Sequence, residues 1–344
     1  MNRKIKALCA GLLCLPLCGC SWRDAGDLSA VTAAAIDSKA GTYQLSAELA
    51  VPDPDSATPQ AQIVTGQADT IVQAIDNTGF GRSAQLYWSH TRVLFLGQNV
   101  LRNGIADEVQ DLTVSSEVRP SVRVCAVKNA TAAGILTDCI SIDGDPAGFA
   151  LGDSLDHAIQ QSQVPDIPLY RVLDCIETDG VDAVLPAVSI KEGQAVLTGA
   201  ALFSGDALCG WLDEQQTTIL CALLSAGDSA IVYDDTARYK LTNIHTAVSA
   251  NTKEQTAFSI QLRADVACES SGQAKRAAST LRAQCTEVIE QLQRNGCDAL
   301  GFGQAWERAD AASWKQAADT DWQSVPVTVH VTLHATQSAE GGSR

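Results

Sequence analysis

One methionine, five histidines and 5% aromatic residues are spread over 344 positions, and positive charge is scarce, with 24 Lys and Arg against 40 Asp and Glu. The resulting net charge of −16 argues against a nucleic-acid surface and against electrostatic adhesion to an anionic bilayer. Beyond residue 20 no apolar run approaches the roughly 18 residues of a spanning helix. The longest are Ala30–Ile36 and Ile219–Ala226. C-x-x-C pairs are missing, which removes zinc-ribbon and thioredoxin-like readings. Asp-x-x-His is missing too. Its absence matters because Gly152-Asp153-Ser154-Leu155 spells the signature of a serine hydrolase class that takes its base from such a late motif. Without that base, Asp153 or Ser154 reads as the N-cap of a helix through Leu155, His157, Ala158 and Ile159. His330 and His334 share one strand face with no third ligand indicated, and Gly301-Phe302-Gly303 is too short and ill-placed for a dinucleotide loop. No catalytic residue, no metal and no dissociable cofactor is expected.

What is present begins at the N-terminus. Basic residues Arg3, Lys4 and Lys6 lead into an apolar run from Ala7 to Leu17 that ends in Leu17-Cys18-Gly19-Cys20. This is a secretory leader, too short to span a bilayer. Leu at minus three and Gly at minus one mark Cys20 as a lipobox cysteine, whose thiolate accepts a diacylglycerol and whose freed amine takes a further acyl chain. The expectation is a signal peptide at residues 1–19 and a mature chain of 325 residues held by lipid on Cys20. Its charge would be −19, because Arg3, Lys4 and Lys6 leave with the leader. Eight cysteines remain after Cys20. Cys125 and Cys285 sit among apolar residues, which reads as buried free thiols, although an exported chain with an even count also permits disulfides.

Alternation predicts strands at Leu28–Asp37 and Thr42–Val51, a short strand at Gln62–Gly66, and buried strands at Thr91–Leu96 and Ser121–Val127. A helix is expected from about Asp69 to Gly79, and mostly helical chain from Ala130 to Thr178, broken at Pro165 and Pro168. An extended segment at Asp182–Ile190 ends at Lys191-Glu192-Gly193, where a composition shift suggests a domain boundary. A hairpin at Ala195–Trp211 follows, then a helix at Asp213–Leu224 with Asp213 as N-cap. Two long antiparallel strands occupy Ala237–Thr252 and Thr256–Cys268. A helix at Gly272–Asn295 has Leu281, Cys285, Val288, Ile289 and Leu292 on its core face and Gly296 at its end, and a last strand spans Pro326–His334. The fold class is α+β: mixed, largely antiparallel sheets with packed helices, without βαβ regularity, in two to three domains.

The order of several blocks resembles the Ger(x)C spore germination lipoproteins. Cys20-Ser21-Trp22-Arg23-Asp24 and Ala35-Ile36-Asp37 match the family's start, with Ser21 pushing Trp22 one place outward. Leu86-Tyr87-Trp88-Ser89-His90-Thr91-Arg92-Val93, running into Gly97, matches a second block. Gly199-Ala200-Ala201-Leu202-Phe203-Ser204-Gly205-Asp206-Ala207-Leu208-Cys209-Gly210-Trp211-Leu212 matches a third. Asp298-Ala299-Leu300-Gly301-Phe302-Gly303 and Trp314-Lys315 match the last, with Ala299 where the family has proline.

The resemblance implies an N-terminal germination-protein domain at 20–190 and a C-terminal one at 191–344, with 191–235 readable as a separate small domain. It also implies a non-catalytic germinant-receptor subunit on the outer face of the spore inner membrane, working with two integral membrane subunits. Residues Trp22, Tyr87, Ser89, His90, Arg92, Gly210, Trp211, Gly301, Phe302 and Gly303 are expected to determine the fold, as buried aromatics and close-packed glycines usually do. Tyr87–His90 should begin a strand, Gly210-Trp211 should end one, and Phe302 should be buried after the long helix. A lipid-anchored solute-binding protein of a transporter is the rival reading.

Overall fold

The computed structural model describes residues 28–336 apart from 56–57, 82–83, 116–117, 140–145, 235–236, 254, 269 and 317–321. Cys20, Trp22 and the leader lie outside the described residues.

Two sheets organise the chain. The first runs β3 (Gln60–Ala68), β2 (Thr42–Val51), β1 (Leu28–Lys39), β5 (Val93–Leu96), β6 (Arg123–Val127), β7 (Val184–Lys191), β8 (Gln194–Ser204), β9 (Ala207–Leu212), with β4 (Gln85–Tyr87) beside the start of β1. Its centre, β1-β5-β6-β7, is parallel throughout. Helix α1 (Ile71–Gly79) follows β3, helices α2 (Gln98–Asn103) and α3 (Ala106–Ser115) cross from β5 to β6, and α4 (Ala132–Thr137), α5 (Ala147–Gln160) and α6 (Leu169–Glu177) cross from β6 to β7. The unbroken apolar runs follow from this, because strands buried on both faces need no alternation. Ile36, Leu94, Leu96 and Val124 join one core with Leu101, Val109 and Val172, while Ala35, Val93, Phe95 and Cys125 join another with Ile135 and Leu155. The βαβ order is therefore present where the sequence suggested none. Helices α2 and α3 are short and carry weak apolar stripes, so they left little periodicity to read.

The second sheet runs β10 (Ser229–Tyr233), β11 (Arg238–Asn251), β12 (Ala257–Ala267), β13 (Val327–Thr336), with β12 and β13 parallel. Its alternating residues bury Leu241, Ile260, Leu262 and Val266 under α8 (Ser271–Asn295) and expose Lys240, His245, Gln261, Arg263, His330 and His334. Leu281, Cys285, Val288, Ile289 and Leu292 of α8 are buried, and Gly296 ends the helix at φ +72°, a left-handed position that suits glycine.

The first sheet runs across the 191–193 turn, and one local expectation, the start of α5, is revised. The turn at Lys191–Gln194 joins β7 to β8 within the first sheet, so the sheet boundary falls between Leu212 and Ser229, and residues 191–235 divide between the sheets. Trp88–His90 is a 3-10 turn at the entry to β5, with Trp88 buried. Gly152-Asp153-Ser154 lies inside α5, so neither Asp153 nor Ser154 caps it. Pro146 starts that helix earlier, and its first N–H groups are satisfied from β2 by the Glu48 carboxylate, at 2.8 Å to Ala147 and 2.7 Å to Gly148. Helices α9 (Phe302–Ala309) and α10 (Ala311–Gln316) follow the long helix. At α7 (Glu214–Leu223), by contrast, Asp213 forms the full capping box with Gln216.

Candidate functional site

The third and fourth sequence blocks meet where the first sheet joins the C-terminal region. The Asp298 side chain accepts from the backbone N–H of Phe302 and of Gly303, each at 2.8 Å, and so caps the start of α9 four residues downstream. Its own N–H donates to the Asp182 carboxylate at 2.6 Å, and the Asp182 N–H returns a bond to the Asp298 carbonyl at 2.9 Å. The second oxygen of Asp182 accepts from Gly205 in the β8–β9 turn at 2.8 Å. One carboxylate thus ties the loop before β7 both to the 204–207 turn and to the end of α8. The next residue of that turn, Asp206, carries the linkage onward. Its carbonyl accepts from Ile105 at 3.0 Å and its carboxylate from Ala106 at 3.4 Å, at the start of α3.

Glycines allow the close approach. A Cβ on Gly303 would overlap Gly180, and one on Gly210 would overlap the Asn295 side chain. Phe302 is fully buried and stacks on Phe258 at 4.7 Å, with Trp322 at 5.7 Å beyond it. Trp211 faces away from this cluster, and the Lys128 ammonium stands 5.2 Å above its ring.

Burial pushes the Asp298 carboxyl up to about 6, against the N–H groups of Gly303 and Phe302 that hold it down. Burial raises Asp182 as well. A carboxyl with a raised folded value stabilises the fold fully below its unfolded value and loses that contribution as pH rises through about 6. The expected loss is roughly 2–3 kcal/mol between pH 4 and 7. Asp298→Asn has no such proton to lose. Its melting temperature should therefore change less over this range than that of the wild type, and equal slopes would refute the assignment.

The second block lies elsewhere, against α5. Arg92 donates its backbone N–H to Thr32 at 2.9 Å and sends its guanidinium to Asp153 at 2.8 Å and Asp156 at 3.2 Å. Arg123 joins Asp156 at 2.8 Å. Gly152 makes room, since a Cβ there would lie 2.9 Å from Arg92 Nε. Ser154 donates its hydroxyl to the Ala150 carbonyl at 2.8 Å, and Asp153 is engaged by Arg92, which leaves the hydrolase-like tetrapeptide serving helix packing. Tyr87 meets His90 edge-on at 5.1 Å, and Ser89 sits between them in the 3-10 turn.

The structure therefore brings Gly210, Gly301, Phe302 and Gly303 to one junction, directs the Trp211 ring away from it, and leaves Tyr87, Ser89, His90 and Arg92 at another place. Sequence reasoning missed Asp182 and Gly180, which no local pattern marks. Asp37 was visible in the first block. Its two oxygens take the N–H groups of Ala132 and Ala133 at 2.9 and 2.8 Å, and a Cβ on Gly97 would overlap its side chain.

Two family models divide the chain at the turn between β7 and β8. The family model described as the spore germination protein N-terminal domain matches residues 23–190. The model described as spore germination B3/GerAC like, C-terminal, matches residues 198–339. No curated protein sequence matches the chain. The crystal structure of the GerBC protein superposes with a TM-score of 0.57 at 15% identity, covering 88% of this chain and 96% of that one, so the two share a fold. The two family models span nearly all of the described residues, and the chain belongs to the Ger(x)C family of spore germination proteins.

Proposed function

We propose that the chain is the lipid-anchored, non-catalytic subunit of a nutrient germinant receptor, acting with two integral membrane subunits at the outer face of the spore inner membrane. The observation that carries this reading is family membership in a chain whose lipobox cysteine, Cys20, stands only a few residues before β1. Among the described residues no helix is long and apolar enough to cross a membrane. A diacylglycerol and an N-acyl chain on Cys20 supply stable attachment where a single chain gives only marginal binding. The short tether would hold the first sheet close to the bilayer, within reach of membrane-embedded partners. A strongly acidic surface would add no adhesion of its own.

The test is Cys20→Ala at the native locus, beside a deletion. Both are expected to abolish germination with the receptor's own nutrient, and Cys20→Ala should release the protein from the membrane fraction. Unchanged germination with every nutrient tried, together with unchanged membrane retention, would overturn the proposal. The solute-binding rival expects two similar α/β lobes around a cleft. One large mixed sheet with a smaller one-sided sheet does not resemble that plan.

A further inference from the structure

Cys209 is the extra residue of a bulge. Leu202 pairs with Gly210 and Phe203 with Leu208, so Cys209 has no partner in the ladder. A bulge re-aims its side chain, and here the thiol turns to the junction, where it donates to the Leu202 carbonyl at 3.3 Å and packs against the core that contains Cys297. Cys297 follows Gly296 at the end of α8 and is fully buried. Its thiol lies beside the Phe203 backbone and close enough to the Cys209 sulfur for each to shift the other's ionisation. Neighbouring groups of β8 therefore hold both sulfurs, one from β9 and one from the loop after α8. The close seating of Gly210 on Asn295 fixes the two backbones against each other.

We propose that Cys209 and Cys297 are a redox pair that closes to a disulfide across the junction between the first sheet and the C-terminal region. The oxidant is a small-molecule disulfide. The Cys209 thiolate attacks one of its sulfurs and releases one thiol, and the Cys297 thiolate then displaces the second thiol from the mixed disulfide. Two protein thiols lose two electrons and two protons, and the small disulfide becomes two thiols. The half-buried Cys209 makes the first attack. The adjacent Cys297 thiol lowers its pKa, whereas burial holds Cys297 well above the ordinary thiol value. Cys125, Cys221 and Cys285 are pushed up to about 12 by burial and take no part.

Full-length mature protein, treated with oxidised glutathione and digested without reductant, tests this. The expected product is a single crosslinked peptide pair containing Cys209 and Cys297, with a mass loss of about 2 Da and a melting temperature raised by roughly 5–10 °C, because the bond closes a long loop. Reductant should reverse both changes. Cys209→Ser and Cys297→Ser should each abolish them, and the wild-type peptide map decides the matter even where a variant folds poorly. Mixed glutathione disulfides that never resolve, pairing of either cysteine with a different one, or two thiols that stay free would overturn the proposal.

Discussion

Asp298→Ala is expected to lower the unfolding free energy by about 3–4 kcal/mol at pH 5. At that pH the Asp298 carboxyl, which burial pushes up to about 6, still holds most of its proton. The side chain is buried and is the acceptor for two successive N–H groups at the start of α9. Alanine leaves both donors without a partner and out of reach of water, at about 1–3 kcal/mol each. Asp298→Asn keeps one acceptor and should lose about half as much. Trp306, Trp314 and Trp322 surround the same cluster, so denaturant titration followed by tryptophan fluorescence reads the change directly. A loss under about 1 kcal/mol would mean that α9 is held by its aromatic contacts alone.

Glu48→Ala should cost a similar amount, about 3–5 kcal/mol, by another route. Glu48 is 1% exposed, accepts from Ala147 and Gly148, and also takes the Thr32 hydroxyl at 2.5 Å. Truncation orphans the two backbone donors, leaves the Thr32 hydroxyl only the backbone carbonyl of residue 48 at 3.3 Å, and opens a cavity between β2 and α5. Glu48→Gln fills the space but offers one acceptor oxygen and turns an amide donor toward a donor, so it should recover only part of the loss. Hydrogen exchange separates this effect from general weakening. The first turn of α5 should lose protection before the β1–β2 hairpin does, and uniform loss across the sheet would refute the local cause.

What was legible in the sequence was whatever repeats locally. The alternation at Thr42–Val51, the apolar stripe of α8 with its terminal glycine, and Asp213 before α7 each carry their signal within one element. What escaped depends on residues far apart in the chain. The start of α5 was misplaced because its cap comes from Glu48 on a strand about 100 residues earlier. That the first sheet continues past the 191–193 turn was not legible, because a tight turn looks the same whether or not the sheet goes on beyond it. At the junction, the blocks around Gly210 and Phe302 could be seen individually, but Asp182 has no flanking pattern and is recognised only by the backbone groups it accepts.

The reach of these carboxylates sets the order in which the chain can assemble. Asp37 caps α4 across 95 positions, Glu48 caps α5 across 99, and Asp182 meets Asp298 across 116. Synthesis from the N-terminus delivers the acceptors long before their donors. The β1–β2 hairpin must therefore wait, with two carboxylates still hydrated, until residues 132–148 arrive. Such non-local closure is slow compared with folding from neighbouring contacts. During that interval the half-built first sheet presents open strand edges, where pairing with another chain competes with completion.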